Sequence, residues 1–178
     1  MSERIAIVGS REWPSWIISV IEARVRMLVR NLPHDATVIS GGARGVDSWA
    51  VAEAKRIGLP FVEHRPAKYV RSMSYARACF ARNSDIVTDA TRVVAFPAPE
   101  PINNPLNSAR GTWDTISKAH GRGMRLKVKC PYCCGNIPSW CFDKPAPGGR
   151  SQIPYHQSFC GPPCFQAWAA RAKAALVG

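Results

Sequence analysis

Between residues 4 and 129 the chain repeats one pattern: a short apolar run, a polar or glycine-bearing turn, then a stretch compatible with a helix. Ile5-Ala6-Ile7-Val8 is continuous in its apolar character and too short for a helix, which is how a strand buried on both faces reads. Thr37-Val38-Ile39-Ser40, Phe61-Val62-Glu63 and Val93-Val94-Ala95-Phe96 give the next three strands, and Arg125–Lys129 closes the set. Helices are predicted over Trp16–Leu32, Gly45–Ile57, Met73 to about Val87, and Thr112–His120. Gly58 and Pro60 terminate the second of these. Strands separated by helices require crossover connections, so the fold class is α/β, a Rossmann-like parallel sheet of about five strands. In such sheets ligands sit beyond the carboxyl ends of the strands.

The distinctive residues fall at those ends. The first strand runs into Gly9-Ser10-Arg11: a glycine for a tight turn, a hydroxyl, and a planar cation suited to phosphate or carboxylate. The second runs into Ser40-Gly41-Gly42-Ala43-Arg44-Gly45-Val46-Asp47, where glycines permit close backbone approach and a helix start offers free N–H groups to an anion. Asp47 can cap that helix or accept from a ribose hydroxyl; a turn needing glycine only for its φ angles explains the same run without a ligand. After the fourth strand, a Pro- and Asn-rich loop from Pro97 to Asn107 leads to Ser108-Ala109-Arg110-Gly111-Thr112, a further helix start with anion-binding character. Three such junctions on one rim predict a site for a nucleotide-like phosphorylated ligand.

These segments resemble the SLOG superfamily, specifically its small DUF2493 group (YspA-like, related to cpYpsA). Ile5–Arg11, Ile39–Ala50, Arg82-Asn83 and Gly111-Thr112 carry the resemblance, in order and spacing. It implies a Rossmann-like fold with a nucleotide pocket lined by Gly9, Ser10, Arg11, Ser40, Gly41, Gly42, Gly45, Asp47, Arg82, Asn83, Gly111 and Thr112. Within the superfamily, the phosphoribohydrolases that activate cytokinins place a glutamate in a Gly-Thr-x-x-Glu run. Here the run is Gly111-Thr112-Trp113-Asp114-Thr115, without a carboxylate at that place. Other relatives look like sensors of nucleotide signals in bacterial defence, and the DprA group binds single-stranded DNA.

From Cys130 the texture changes. Proline and glycine become dense and periodicity vanishes until Phe165–Leu176, where a closing helix is predicted. Six of the seven cysteines lie in Cys130–Cys164, and such clustering in an intracellular chain favours metal over disulfides. Cys130-Pro131-Tyr132-Cys133 and Cys160-Gly161-Pro162-Pro163-Cys164 form two short loops that together supply four thiolates for a structural Zn²⁺, in a treble-clef-like arrangement. Cys134 and His156 are alternative ligands. Tyr132, Trp140, Phe142, Tyr155 and Phe159 are expected to form the small core of this module. His34, His64 and His120 are read as surface residues.

The domain boundary is therefore placed between a sheet domain, residues 1–129, and a zinc module, residues 130–178. Of the formal +12 charge, residues 118–178 carry +8, from nine Lys/Arg against Asp143 alone. That field attracts phosphate-rich partners, nucleic acid among them. No run approaches the roughly 20 apolar residues of a membrane span, and the opening Met1-Ser2-Glu3-Arg4 lacks secretory character. The expectation is a soluble, cytoplasmic protein, with homo-oligomerisation left open. It binds or senses a nucleotide-derived ligand without catalysis; the alternatives are an N-glycosidase and a nucleic-acid-binding protein.

Overall fold

The computed structural model describes residues 2–66, 74–98, 110–133, 135–137, 160 and 162–174. Cys134, Cys141, His156, Trp140, Phe142, Tyr155, Phe159 and most of the Pro97–Asn107 loop lie outside them.

Five parallel strands form one sheet: β1 (Arg4–Gly9), β2 (Thr37–Ser40), β3 (Phe61–Glu63), β4 (Arg92–Phe96) and β5 (Arg125–Val128). Their order is β3-β2-β1-β4-β5, so the winding reverses between β1 and β4. Helices α1 (Ser15–Arg30), α2 (Val46–Ile57), α3 (Tyr75–Asp89) and α4 (Arg110–Gly121) make the crossovers, and α5 (Pro162–Ala174) follows the sheet. α1 packs against α2 and α3 against α4, and the reversal puts the two pairs on opposite faces. The fold class is the one predicted, and the strands lie within one residue of their expected bounds. Helix ends differ by a few residues. α4 begins at Arg110 rather than Thr112, so Gly111 and Thr112 stand inside its first turn.

The central strands are buried as their composition requires: Ile5, Ala6, Ile7, Val38, Ile39, Val93 and Ala95 are inaccessible to solvent. Ile17, Ile21, Val25 and Val29 recur every fourth residue along α1 and lay one apolar stripe on the sheet. Gly58 closes α2 in the left-handed region, at φ 76°, and its N–H returns to the carbonyls of Ala54 and Lys55.

The α1–α2 contact also contains a charge. Glu53 of α2 is shut off from solvent, under a thin cover of guanidinium groups rather than deep in the core. It accepts from Arg56 at 2.6 Å, from Arg30 at 2.6 Å and from Arg26 at 3.1 Å. The hydrogen bonds from Arg56 and Arg30 lower the carboxyl from 4.5 to about 2, against the opposing effect of burial. A depressed carboxyl stabilises the fold above its unfolded value, and that stability is lost as pH falls through the folded value. Glu53→Gln is therefore expected to lower stability at pH 7 by about 1–3 kcal/mol, a range held down because water screens the half-exposed arginines. Urea unfolding between pH 4.5 and about 2 should show a shallower acid loss in the variant than in the wild type.

Candidate functional site

The reversal of strand order brings the ends of β1 and β4 side by side, with the end of β2 next to β1. The Gly9–Arg11 and Ser40–Asp47 turns meet there. Asp47, in the first turn of α2, holds them together: its Oδ1 accepts from the Gly9 N–H at 3.1 Å and its Oδ2 from the Gly41 N–H at 3.0 Å. No side chain caps α2, so Asp47 is a brace between two turns rather than a helix cap. Burial pushes its carboxyl up to about 6, and the nearby Arg82 charge and the N–H groups of Gly9, Gly41 and Ala43 limit the rise.

Close approach explains two of the glycines. A Cβ on Gly9 would lie 2.5 Å from the Val46 side chain and 2.7 Å from the Phe96 carbonyl oxygen. One on Gly45, where φ is 81°, would lie 2.6 Å from the Ser10 carbonyl oxygen. Gly42 is exposed, on the open side of the turn.

The polar residues predicted to line a pocket are gathered at this rim, and most spend their polar groups on the protein. Ser10 is buried, its N–H donating to Phe96 O at 3.0 Å and its hydroxyl accepting from the Ala98 N–H at 2.7 Å. Ser40 donates to Asp47 O and accepts from the Gly42 N–H. Arg82, 7% exposed, reaches from α3 to the carbonyls of Gly41 and His64. Asn83 donates to Gly111 O at 3.1 Å and to Asp114 Oδ2 at 2.9 Å. Asp114 also accepts from Lys118 at 2.7 Å, and Thr112 is buried.

Arg11 and Arg44 remain. Each is exposed on one of the two braced turns, and among the described residues neither is paired with a carboxylate. Sequence reasoning placed Arg44 within the glycine run without assigning it to the site; its signal was a cation between two glycines on a strand-to-helix turn. The same reasoning read His64 as a plain surface residue, whereas its ring lies 2.8 Å from Asp89, itself held by Arg4. Lone histidines carry no such signal in sequence.

The second cluster is thiol. The sulfur atoms of Cys130, Cys133, Cys160 and Cys164 all lie within 4.8 Å of one another. Cys133 and Cys160 are 3.4 Å apart, as are Cys160 and Cys164. Four thiolates at about 2.3 Å from a tetrahedral ion would stand roughly 3.8 Å apart, so the four predicted ligands can hold a metal ion with small adjustments. Cys130 lies two residues beyond the end of β5; its N–H donates to Gly135 O, and the Gly135 N–H donates to Cys133 Sγ at 3.3 Å. Burial pushes the Cys160 and Cys164 thiols up, Cys164 to about 11, a cost that a bound cation reverses.

Residues 1–63 match the family model for DNA recombination-mediator protein A. The match spans β1 to β3 and both braced turns. No curated protein matches the chain. Among solved structures it resembles DNA processing protein A (DprA) from Streptococcus pneumoniae, with TM-score 0.51, 17% identity, and coverage of 78% of this chain and 52% of that one. This chain thus spans about half the length of the pneumococcal protein. DNA processing protein A from Helicobacter pylori, described for its single-stranded DNA binding mode, gives TM-score 0.52 at 18% identity over 75% of this chain and 68% of that one. A structural-genomics target gives 0.51 at 17% over 76% and 77%. At these identities the likeness is one of fold.

Asp47→Asn would turn an amide N–H toward a backbone N–H and leave buried Arg82 without its counter-charge. A stability decrease of about 2–4 kcal/mol in chemical denaturation is expected. For the thiol cluster, elemental analysis should find one metal ion per chain, absent from Cys160→Ser and from Cys130→Ser but kept in Cys79→Ser.

Proposed function

We propose that the chain binds single-stranded nucleic acid by its phosphate backbone, across the carboxyl rim of the sheet. One observation carries this reading. The Ser10 and Ser40 hydroxyls, the Asp47 carboxylate and Nη1 of Arg82 are engaged internally, while Arg11 and Arg44 stand exposed on two turns that Asp47 joins. Fixed, exposed cations suit an extended chain of phosphates better than an enclosed ligand. The match of residues 1–63 to the recombination-mediator model and the single-stranded DNA binding of the Helicobacter pylori protein support it. So does the charge of residues 129–178, which follow the carboxyl end of β5 and carry five Lys/Arg against Asp143 alone.

The sensing of a free nucleotide, the first expectation from sequence, shares the phosphate chemistry and is distinguished by competition with nucleoside monophosphates. We assign no chemical step: Asp114, the carboxylate nearest the place of the hydrolases' glutamate, is committed to Asn83 and Lys118. The proposal extends to the organisation of the chain. Residues 1–129 form a cytoplasmic SLOG domain of the DUF2493 kind, and residues 130–178 a treble-clef-like module. Its ion is Zn²⁺, for which a four-thiolate set is the common structural site. Among the described residues no helix is long and apolar enough to cross a membrane.

Labelled single-stranded oligonucleotides titrated at several salt concentrations test the function. The wild type should show log K falling linearly with log salt. Arg11→Ala and Arg44→Ala should each flatten the slope by about 0.7 for every phosphate that the arginine neutralises in the wild type. Nucleoside monophosphates should compete only weakly. Tight monophosphate binding with no oligonucleotide binding would return the site to a small ligand. Slopes identical in all three proteins would remove the rim from the function.

A further inference from the structure

One run of packed side chains joins the thiol cluster to the candidate binding rim. Cys160 stands just before α5 and Cys164 lies in its first turn. Trp168, one turn beyond Cys164, is 2% exposed and packs on Trp16, with ring centroids 4.8 Å apart. Arg171 reinforces the contact: its guanidinium carbon lies 5.8 Å from the Trp16 ring centre and 5.7 Å from that of Tyr132, between the ligands Cys130 and Cys133. Trp16 belongs to the first turn of α1, five residues after Arg11. Between them Trp13, nearly buried, donates its indole N–H to the Ser10 carbonyl at 3.2 Å.

We infer that Trp168 is a positioning residue for the rim: α5, anchored by the metal ligands at its N-terminal end, presses Trp168 on Trp16 and so fixes the β1–α1 turn that carries Arg11. On its α1 side the turn is held by the Trp13 indole on the Ser10 carbonyl and by the packing of Trp16 and Ile17 in the first turn of α1. α1 follows Pro14 without a side-chain cap, so the entry angle of the helix is set by what its first turn packs against. An indole buried against an indole supplies that contact over a large area with few rotatable bonds. The guanidinium stacked on Trp16 and Tyr132 ties the same ring to the metal knuckle. Trp168 need not touch the ligand; it acts through Trp16 on where Arg11 stands.

The inference rests on the proposed function for its purpose, but its test reads the turn itself. Amide hydrogen exchange over residues 9–16 should be compared in wild type, metal-stripped wild type, Trp168→Ala and Trp168→Phe, alongside metal content and exchange in β1 and β2. Trp168→Ala should keep its metal and its protected strands while residues 9–16 exchange faster by about tenfold, a local opening rather than a global one. Trp168→Phe should restore much of the protection, and stripping the metal from wild type should reproduce the alanine effect. Oligonucleotide affinity should fall in the same order. Should Trp168→Ala not fold, the phenylalanine variant and the metal-stripped protein decide. Unchanged exchange of residues 9–16 on metal removal, or faster exchange only together with the whole sheet, would overturn the inference. A wild type that binds no oligonucleotide while the exchange pattern holds would count against the proposed function alone.

Discussion

The rim depends on one carboxylate. Asp47 accepts from N–H groups at the ends of two neighbouring strands, and among the described residues no other side chain joins Gly9 and Gly41 so directly. The arrangement draws in both faces of the sheet, because Asp47 comes from α2 while its counter-charge, Arg82, comes from α3 on the opposite side. Burial opposes the ionised form and the N–H groups and Arg82 favour it. The balance leaves the carboxyl raised above its usual range, at about 6, with its oxygens committed to backbone N–H groups. Without the brace, the Gly9 and Gly41 N–H groups would lose the one acceptor that joins their two turns to each other.

Most of the sheet was legible in the sequence because strands buried on both faces leave an uninterrupted apolar signature: Ile5–Val8 and Val93–Phe96 admit few other readings. The thiol cluster was legible for a similar reason: cysteine pairs at short spacings read as candidates for one metal site, and the four sulfurs do stand together. The residues now at the rim were picked out in the sequence, but the partners of their side chains were not evident. A serine after a strand reads alike whether its hydroxyl meets a phosphate or the Ala98 N–H, because that choice is made by a residue 88 positions away. Glu53 was missed for the converse reason. A glutamate on a helix with arginines nearby looks like solvated surface, and only the packing of α1 on α2 closes water out.

The two long-range charge networks serve different ends. Around Glu53, arginines are gathered over a single carboxylate and their charge is spent on joining two helices. At the rim, the arrangement is reversed: the carboxylate lies inside, committed to backbone, and Arg11 and Arg44 face outward. Basic residues alone would not separate these uses, since both sets are arginines on or beside α1 and α2. Both carboxylates are buried, and what differs is the donor: guanidinium groups at Glu53, backbone N–H groups at Asp47.

The knuckle that follows β5 has a consequence for the order of assembly. Val128 O accepts from the Ile137 N–H at 2.7 Å, and the Lys129 N–H donates to Ala95 O of β4, so the first two thiols are aligned by a hairpin built on the finished edge of the sheet. The other two arrive with α5, more than 25 residues later, and α5 seats on α1. The four-sulfur cluster thus needs the strand pairing to have reached β5. A chain stalled with its last strand unpaired would present two separate thiol pairs instead of one four-sulfur cluster, so the cluster depends on a completed sheet edge.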